Sequence, residues 1–144
     1  MDFQAYNKIL ICDDDLKNRY VGDIPIGYEF KIKYPSYRGT FLSCIEALKF
    51  KLDGKKIPEE QISIHVNGKD FLISEIPECF KEYWFVRKPA TVCVLQQGGL
   101  TAGKHELDVY MKHRVPYTGY FGEYLVLESH VIKQKELEDT EVNS

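Results

Sequence analysis

Two β-hairpin turn signals, Asp53-Gly54 and Asn67-Gly68, stand between segments whose apolar residues recur at every second position. No other feature constrains the chain as much. A two-residue hairpin turn needs positive φ at its centre, which Asn, Asp and Gly tolerate, and a period of two sends side chains to alternate faces of a strand. Before the first turn Leu48, Phe50 and Leu52 alternate with Lys49, Lys51 and Asp53. Between the turns Ile62, Ile64 and Val66 alternate with Ser63 and His65, and the second turn leads into Phe71 and Ile73. Upstream, from Gly27 to Tyr34, Tyr28, Phe30, Ile32 and Tyr34 alternate with Glu29, Lys31 and Lys33. Each pattern is that of a strand with one face in the core and one in water.

Downstream, Thr91–Leu95 is a short apolar strand, and Gly98, Gly99 and Gly103 punctuate the loop after it. The longest alternating strand follows, with Leu107, Val109, Met111, His113 and Val115 on one face and Pro116 as its stop. Tyr124–Ile132 is the expected last strand, and Lys133–Ser144 is a polar tail without apolar periodicity. A short helix is allowed at Pro77–Tyr83, with Pro77 in its first turn. About eight or nine strands joined by tight turns predict an all-β fold. The expectation is a single antiparallel β-sandwich over residues 1–132, with at most one short helix and a tail at 133–144. Phe30, Ile32, Leu48, Phe50, Ile64, Val92, Leu107, Val109 and Val126 are expected to face inward.

A chain of 144 residues fits one domain that buries about 68–70% of its unfolded surface. Its 44% apolar content supplies an ordinary core. The 19 basic residues nearly balance the 22 acidic ones, for a formal charge of −3. This argues against nucleic acid or an anionic membrane as a partner, because both are recognised through basic patches. Ile9-Leu10-Ile11-Cys12 is too short, and too soon followed by Asp13-Asp14-Asp15, for a signal peptide or a membrane span. Cys12, Cys44, Cys79 and Cys93 form no C-x-x-C pair. They are expected to be reduced, buried thiols of a cytoplasmic protein.

A search for catalytic chemistry returns no local signature. His65, His105, His113 and His130 show neither H-E-x-x-H nor H-x-x-E-H spacing, so no metal site and no catalytic residue is assigned to this chain. There is no G-x-S-x-G elbow. The glycine run Gly98–Gly103 lacks the Lys-Ser/Thr ending of a phosphate loop and precedes a strand. His113, on the apolar face of its strand, is either a hydrogen-bonded half-buried histidine or one that faces a partner's cleft. Two aromatic loops remain, Tyr34-Pro35-Ser36-Tyr37-Arg38-Gly39 and Tyr117-Thr118-Gly119-Tyr120-Phe121-Gly122. Tyr and Arg on loops are enriched in interface cores. Tyr37, Arg38, Gly39, Tyr117 and Tyr120 are therefore the candidate substrate- or partner-facing residues. The alternative is that the rings plug an end of the sandwich and that Arg38 only pins its own loop.

The run Tyr34–Ser43, with Ile45-Glu46, Leu52–Pro58, Pro89-Ala90-Thr91-Val92 and Gly98–His105, resembles the small β subunit of C-glycoside deglycosidases. The similarity extends from about Gly27 to Val131. The resemblance implies a hetero-oligomeric lyase acting on 3-oxo-C-glucosides of flavonoids and isoflavonoids. A base removes the C2 proton of the sugar, acidified by the 3-keto group, and the aglycone leaves from C1. The sugar departs as a 1,5-anhydro-hex-1-en-3-ulose. It further implies that the base and a divalent metal, typically manganese, sit on a large, sugar-isomerase-like α subunit with a barrel fold, and that this chain is inactive alone. A stand-alone carbohydrate-binding or interaction sandwich is the rival reading. It would need exposed aromatics along a sheet face, whereas the alternating aromatics here share their face with aliphatics.

Overall fold

The computed structural model describes residues 10–12, 16–35, 39–86, 88–115 and 125–137. Two antiparallel sheets dominate these residues. The first is built from β1 (Lys17–Val21), β2 (Ile24–Ile32), β9 (Ala90–Leu95), β6 (Ile62–Val66) and β7 (Lys69–Leu72), in that spatial order. The second runs β11 (Leu125–Leu137), β10 (Gly103–Val115), β4 (Ile45–Leu52) and β5 (Lys55–Lys56). A short ribbon of β3 (Thr40–Phe41) and β8 (Tyr83–Trp84) stands apart from both. The all-β sandwich expected from the alternation is present.

Both turn signals behave as the sequence dictates. Asp53 and Gly54 adopt φ of 51° and 83°, and Asn67 and Gly68 adopt 56° and 73°, each closing a hairpin. Inward residues of the two sheets form one core in which Phe30 and Phe50 meet edge-to-face, their centroids 5.5 Å apart. Phe30, Ile32, Leu48, Phe50, Ile64, Val92, Leu107 and Val109 are all buried as expected. With about 1.5–3 kcal/mol available from each large apolar side chain, this shared core is the main stabilising term.

Val126 is the exception, 41% exposed. Directly opposed residues of an antiparallel pair share a face, and β10 places His113 opposite Leu127, Met111 opposite Ser129 and Val109 opposite Val131. That register turns Leu127 inward and sends Val126, opposite Arg114, to solvent. The strand also runs past Ile132 to Leu137. Its inward positions there are Lys133, Lys135 and Leu137, so no apolar periodicity marks them. β11 lies at the sheet edge, where inward-pointing lysines are tolerated and deter edge-to-edge pairing. Lys135 is buried and donates to the Cys12 carbonyl.

Two further differences concern short elements. Three 3₁₀ turns occur among the described residues, at Leu42–Cys44, Glu59–Gln61 and Ile73–Glu78, where at most one short helix was expected; the last contains Pro77 rather than starting at it. Tyr83 belongs to a strand instead. β1 escaped the sequence reading because only one of its faces is partly covered, leaving Lys17, Arg19 and Val21 exposed. Cys12, Cys44, Cys79 and Cys93 are all free thiols. Among the described residues, no helix is long and apolar enough to cross a membrane.

Candidate functional site

The β3–β8 ribbon divides its side chains by face. Thr40 opposes Trp84, and both are buried; Phe41 opposes Tyr83 on the outer side. The inner face plugs one end of the sandwich: the Trp84 ring lies 5.7 Å from that of Tyr34, which meets His113 edge-to-face at 4.9 Å. The outer face presents a ladder of rings, Phe41 on Tyr83 at 5.1 Å and Tyr83 on Phe85 at 5.0 Å, both edge-to-face. Phe41 is 41% and Phe85 53% exposed, and Lys88 lies 5.6 Å above the Phe85 ring. Exposed aromatic groupings of this kind mark interaction surfaces more often than single exposed apolar residues do.

Several bonds hold the ribbon in place. Asn67, from the second hairpin turn, donates to the Tyr83 carbonyl at 2.8 Å. Lys69 pairs with Glu82 at 2.6 Å, and that hydrogen bond holds the Glu82 carboxyl below its usual range. The Trp84 indole N–H donates to the Lys88 carbonyl at 2.7 Å, and the Leu42 amide donates to the Glu82 carbonyl at 2.8 Å. Gly39 begins the ribbon without room for a side chain: a Cβ there would stand 2.3 Å from the Trp84 carbonyl oxygen and 2.8 Å from the Tyr83 ring. Its glycine is a matter of close approach to β8.

Beneath the ribbon, His113 is wholly buried, and its Nδ1 lies 2.6 Å from the Tyr34 hydroxyl. Burial lowers its pKa to about 4. With the ring neutral, one nitrogen carries the proton and the other is a bare acceptor, and Nδ1 and the Tyr34 hydroxyl share one hydrogen bond. Among the described residues, Nε2 is buried with no hydrogen-bond partner, as is Thr40 Oγ1. The sequence left two readings of His113 open. The structure shows a core histidine, more deeply enclosed than half-buried.

The other histidines are engaged elsewhere. His65 pairs with Asp70 at 2.9 Å and His130 with Asp108 at 2.7 Å. His105 binds Asp53 Oδ2 through Nδ1 and the Thr101 carbonyl through Nε2, each at 2.7 Å. Burial disfavours the charged form of His105, but the Asp53 and Thr101 hydrogen bonds and the Asp53 charge outweigh it and raise the pKa. The glycine-rich turn and the Asp53-Gly54 turn are thus clipped together around the start of β10. Among the described residues no group of three or more His, Cys, Asp or Glu is placed to hold a metal ion.

Of the residues singled out in the sequence, Gly39 lies at the root of the ribbon. Tyr37, Arg38, Tyr117 and Tyr120 lie outside the described residues. The structure does join the flanks of their two loops, because Tyr34 precedes one and His113 the other, and the two are hydrogen-bonded. Sequence reasoning missed Phe41, Trp84 and Phe85. The signal was the run Tyr83-Trp84-Phe85, obscured by assigning its neighbourhood to a helix.

A family profile described as C-glycoside deglycosidase beta subunit matches residues 6–117, reaching further toward the start than the resemblance from Gly27. A protein of Eubacterium cellulosolvens named C-glycoside deglycosidase beta subunit is 42% identical over 81 residues, covering 56% of this chain and 55% of that protein. One of the same name from Arthrobacter globiformis is 26% identical over 134 residues, or 89% of this chain and 98% of the relative. A 3'-dehydrocarminate deglycosidase beta subunit from a Microbacterium species is 34% identical over 99 residues, 69% and 74% of the two chains.

Proposed function

We propose that this chain, which belongs to the C-glycoside deglycosidase beta subunit family, works as the small subunit of a hetero-oligomeric carbon–carbon lyase and meets its large partner through the outer face of the β3–β8 ribbon. The observation that carries the interface is the Phe41–Tyr83–Phe85 ladder, exposed on a ribbon held by hydrogen bonds from Asn67, Lys69 and Leu42. Obligate interfaces are larger and more apolar than transient ones, above about 2,000 Å² in total, and rigid aromatic anchors dominate their energy. Tyr37, Arg38, Tyr117 and Tyr120 also face the partner or the substrate in the proposal, with Arg38 donating paired hydrogen bonds to a partner carboxylate or to substrate oxygens.

The substrate we propose is a 3-oxo-C-glucoside of a flavonoid or isoflavonoid. The name of the Microbacterium relative specifies a 3'-dehydro compound, which supports an oxidised sugar. A ketone at C3 acidifies the C2 proton; a base takes it, its electrons form the C1–C2 double bond, and the bond from C1 to the aglycone breaks. The products are the protonated aglycone and 1,5-anhydro-hex-1-en-3-ulose. Such a step needs a positioned base and an enclosed site. The described residues of this chain do not make a metal-ligand set, since three histidines are tied to Asp53, Asp70 and Asp108 and the fourth to Tyr34. The base and the divalent metal, manganese in this proposal, are assigned to the large, barrel-shaped partner. The four free thiols suit a reducing cytoplasm.

The test is reconstitution. The chain alone is expected to show no turnover of a 3-oxo-C-glucoside, and mixing with the large subunit to restore it. Phe41→Ala combined with Phe85→Ala should leave the fold within about 1 kcal/mol while weakening assembly by about 2–5 kcal/mol; Arg38→Ala should lower turnover in the complex. Full turnover by the chain alone, or assembly unaffected by the double substitution, defeats the reading.

A further inference from the structure

At the end of the sandwich opposite the ribbon, a cleft of about 310 Å³ opens between the Asp53-Gly54 turn and the loop after β9. Two stretches of the sequence that the interface does not use, Leu52–Pro58 and Gly98–His105, meet there. Its apolar lining is Leu52, Ile57, Pro58 and Leu100. Its polar groups are Tyr28, Asp53, Lys55, Lys56, Gln61 and Gln96. Tyr28 has its ring in the core and borders the cleft, and burial followed by the Asp53 charge pushes its pKa up to about 12, so it stays a donor. Asp53 is ionised, its pKa lowered chiefly by the His105 hydrogen bond, and is fixed by bonds to His105 and to the Glu106 amide. Each carboxylate oxygen keeps a lone pair to spare. Gln96 donates to the Gly99 carbonyl at 3.1 Å, and its side-chain carbonyl is a further acceptor.

We infer that this cleft binds a neutral, polyhydroxylated ring, a hexopyranose or its glycoside. The volume is at the lower end for small-molecule clefts, which run to about 300–1,000 Å³. A lone anion meets the Asp53 carboxylate, and a lone cation meets two lysines. A sugar hydroxyl both donates and accepts, and so matches a lining that sets acceptors on Asp53 and Gln96 against donors on Tyr28, Lys55 and Lys56. The C–H face of a pyranose suits the apolar part of the lining. This inference does not rest on the interface proposed above. His105 and His113 are eight strand positions apart, about 26 Å at about 3.3 Å per residue, so the cleft and the ribbon fail or succeed separately.

The experiment is a titration of the full, ¹⁵N-labelled chain with methyl β-D-glucopyranoside, followed by amide chemical shifts, with sodium phosphate and propylammonium chloride as parallel probes. The sugar is expected to shift the amides of Asp53, Lys55, Lys56, Gln96 and Leu100 with a dissociation constant on the order of millimolar. Tyr28→Phe and Gln96→Ala, which keep the ring and the fold, should each weaken it about three- to tenfold. Shifts scattered away from the cleft, a stronger response to phosphate or to the ammonium ion, or unchanged affinity in both variants would each overturn the inference.

Discussion

His113 offers a direct measurement of how the core treats charge. In the unfolded chain its imidazole takes a proton near its ordinary value of 6.5, whereas in the folded chain burial delays protonation to about 4. Above 6.5 the ring is neutral in both states and costs nothing. As pH falls from 6.5 to about 4, the unfolded chain gains a proton that the folded chain refuses, so stability is lost across that window and levels off below it. Each pH unit between the two values is worth about 1.4 kcal/mol, which makes the loss about 3 kcal/mol. The perturbation is His113→Phe, which keeps the edge-to-face contact with Tyr34 and removes the proton site. Overpacking by the larger ring costs about 1–3 kcal/mol at every pH and leaves the slope untouched. His105 titrates in the opposite sense: its raised pKa gives stability below about 6.5 that fades as pH rises through the folded value. It is present in both proteins and distant from the substitution, so it cancels in the difference. Urea unfolding of both proteins at intervals from pH 7.5 to about 4 should show the wild type losing about 3 kcal/mol relative to the variant. A difference that stays flat, or that moves in favour of the wild type on acidification, refutes the account of an enclosed neutral imidazole.

Two other perturbations probe the clip and the ribbon. Asp53→Ala removes the bonds to His105 Nδ1 and the Glu106 amide and places a Cβ-bearing residue without Asp's tolerance at φ 51°; the expected loss is about 2–4 kcal/mol, read as a fall in melting temperature. The gap from wild type should be widest between about pH 4 and 6.5, where both partners are charged, because Asp53 loses its advantage as pH falls through its lowered pKa and His105 loses its own as pH rises; a gap independent of pH would deny the ion pair. Gly39→Ala puts a methyl group 2.3 Å from the Trp84 carbonyl and should cost about 1–3 kcal/mol while exposing Trp84, seen as a red shift in its fluorescence; an unshifted spectrum would show that Gly39 does not set the ribbon.

The sheets were legible because their information is local. A period of two fixes which residues of β2, β4, β6 and β10 face inward, and Asp53-Gly54 and Asn67-Gly68 fix two of the reversals, so those core positions could be assigned without knowing the strand order. β11 shows where this stops. Its inward face is chosen by pairing with β10, and at a sheet edge that face accepts Ser129 and Lys135. Its own sequence suggested that Val126 points inward and that the strand ends at Ile132. The decisive constraint lay on a neighbouring strand.

The ribbon fails to announce itself for a related reason. Two residues per strand leave no periodicity to detect, and neither Thr40-Phe41 nor Tyr83-Trp84 carries a turn signal of its own. Its geometry comes largely from bonds contributed by another hairpin, Asn67 from its turn and Lys69 from the strand after it, with the Leu42 amide just past β3 bonded to Glu82. Sequence reasoning had posed plugging and contact as rival roles for the aromatic residues at this end. The ribbon separates them by face, since Trp84 packs on Tyr34 while Phe41 and Phe85 remain exposed. A β-strand presents alternate residues to opposite sides, so the same four residues can close the core and offer a surface to a partner. The two duties constrain each other. Any change that tilts β8 to improve the outer contact also moves Trp84 against Tyr34 and His113, where an unpartnered Nε2 already sits with little freedom to adjust.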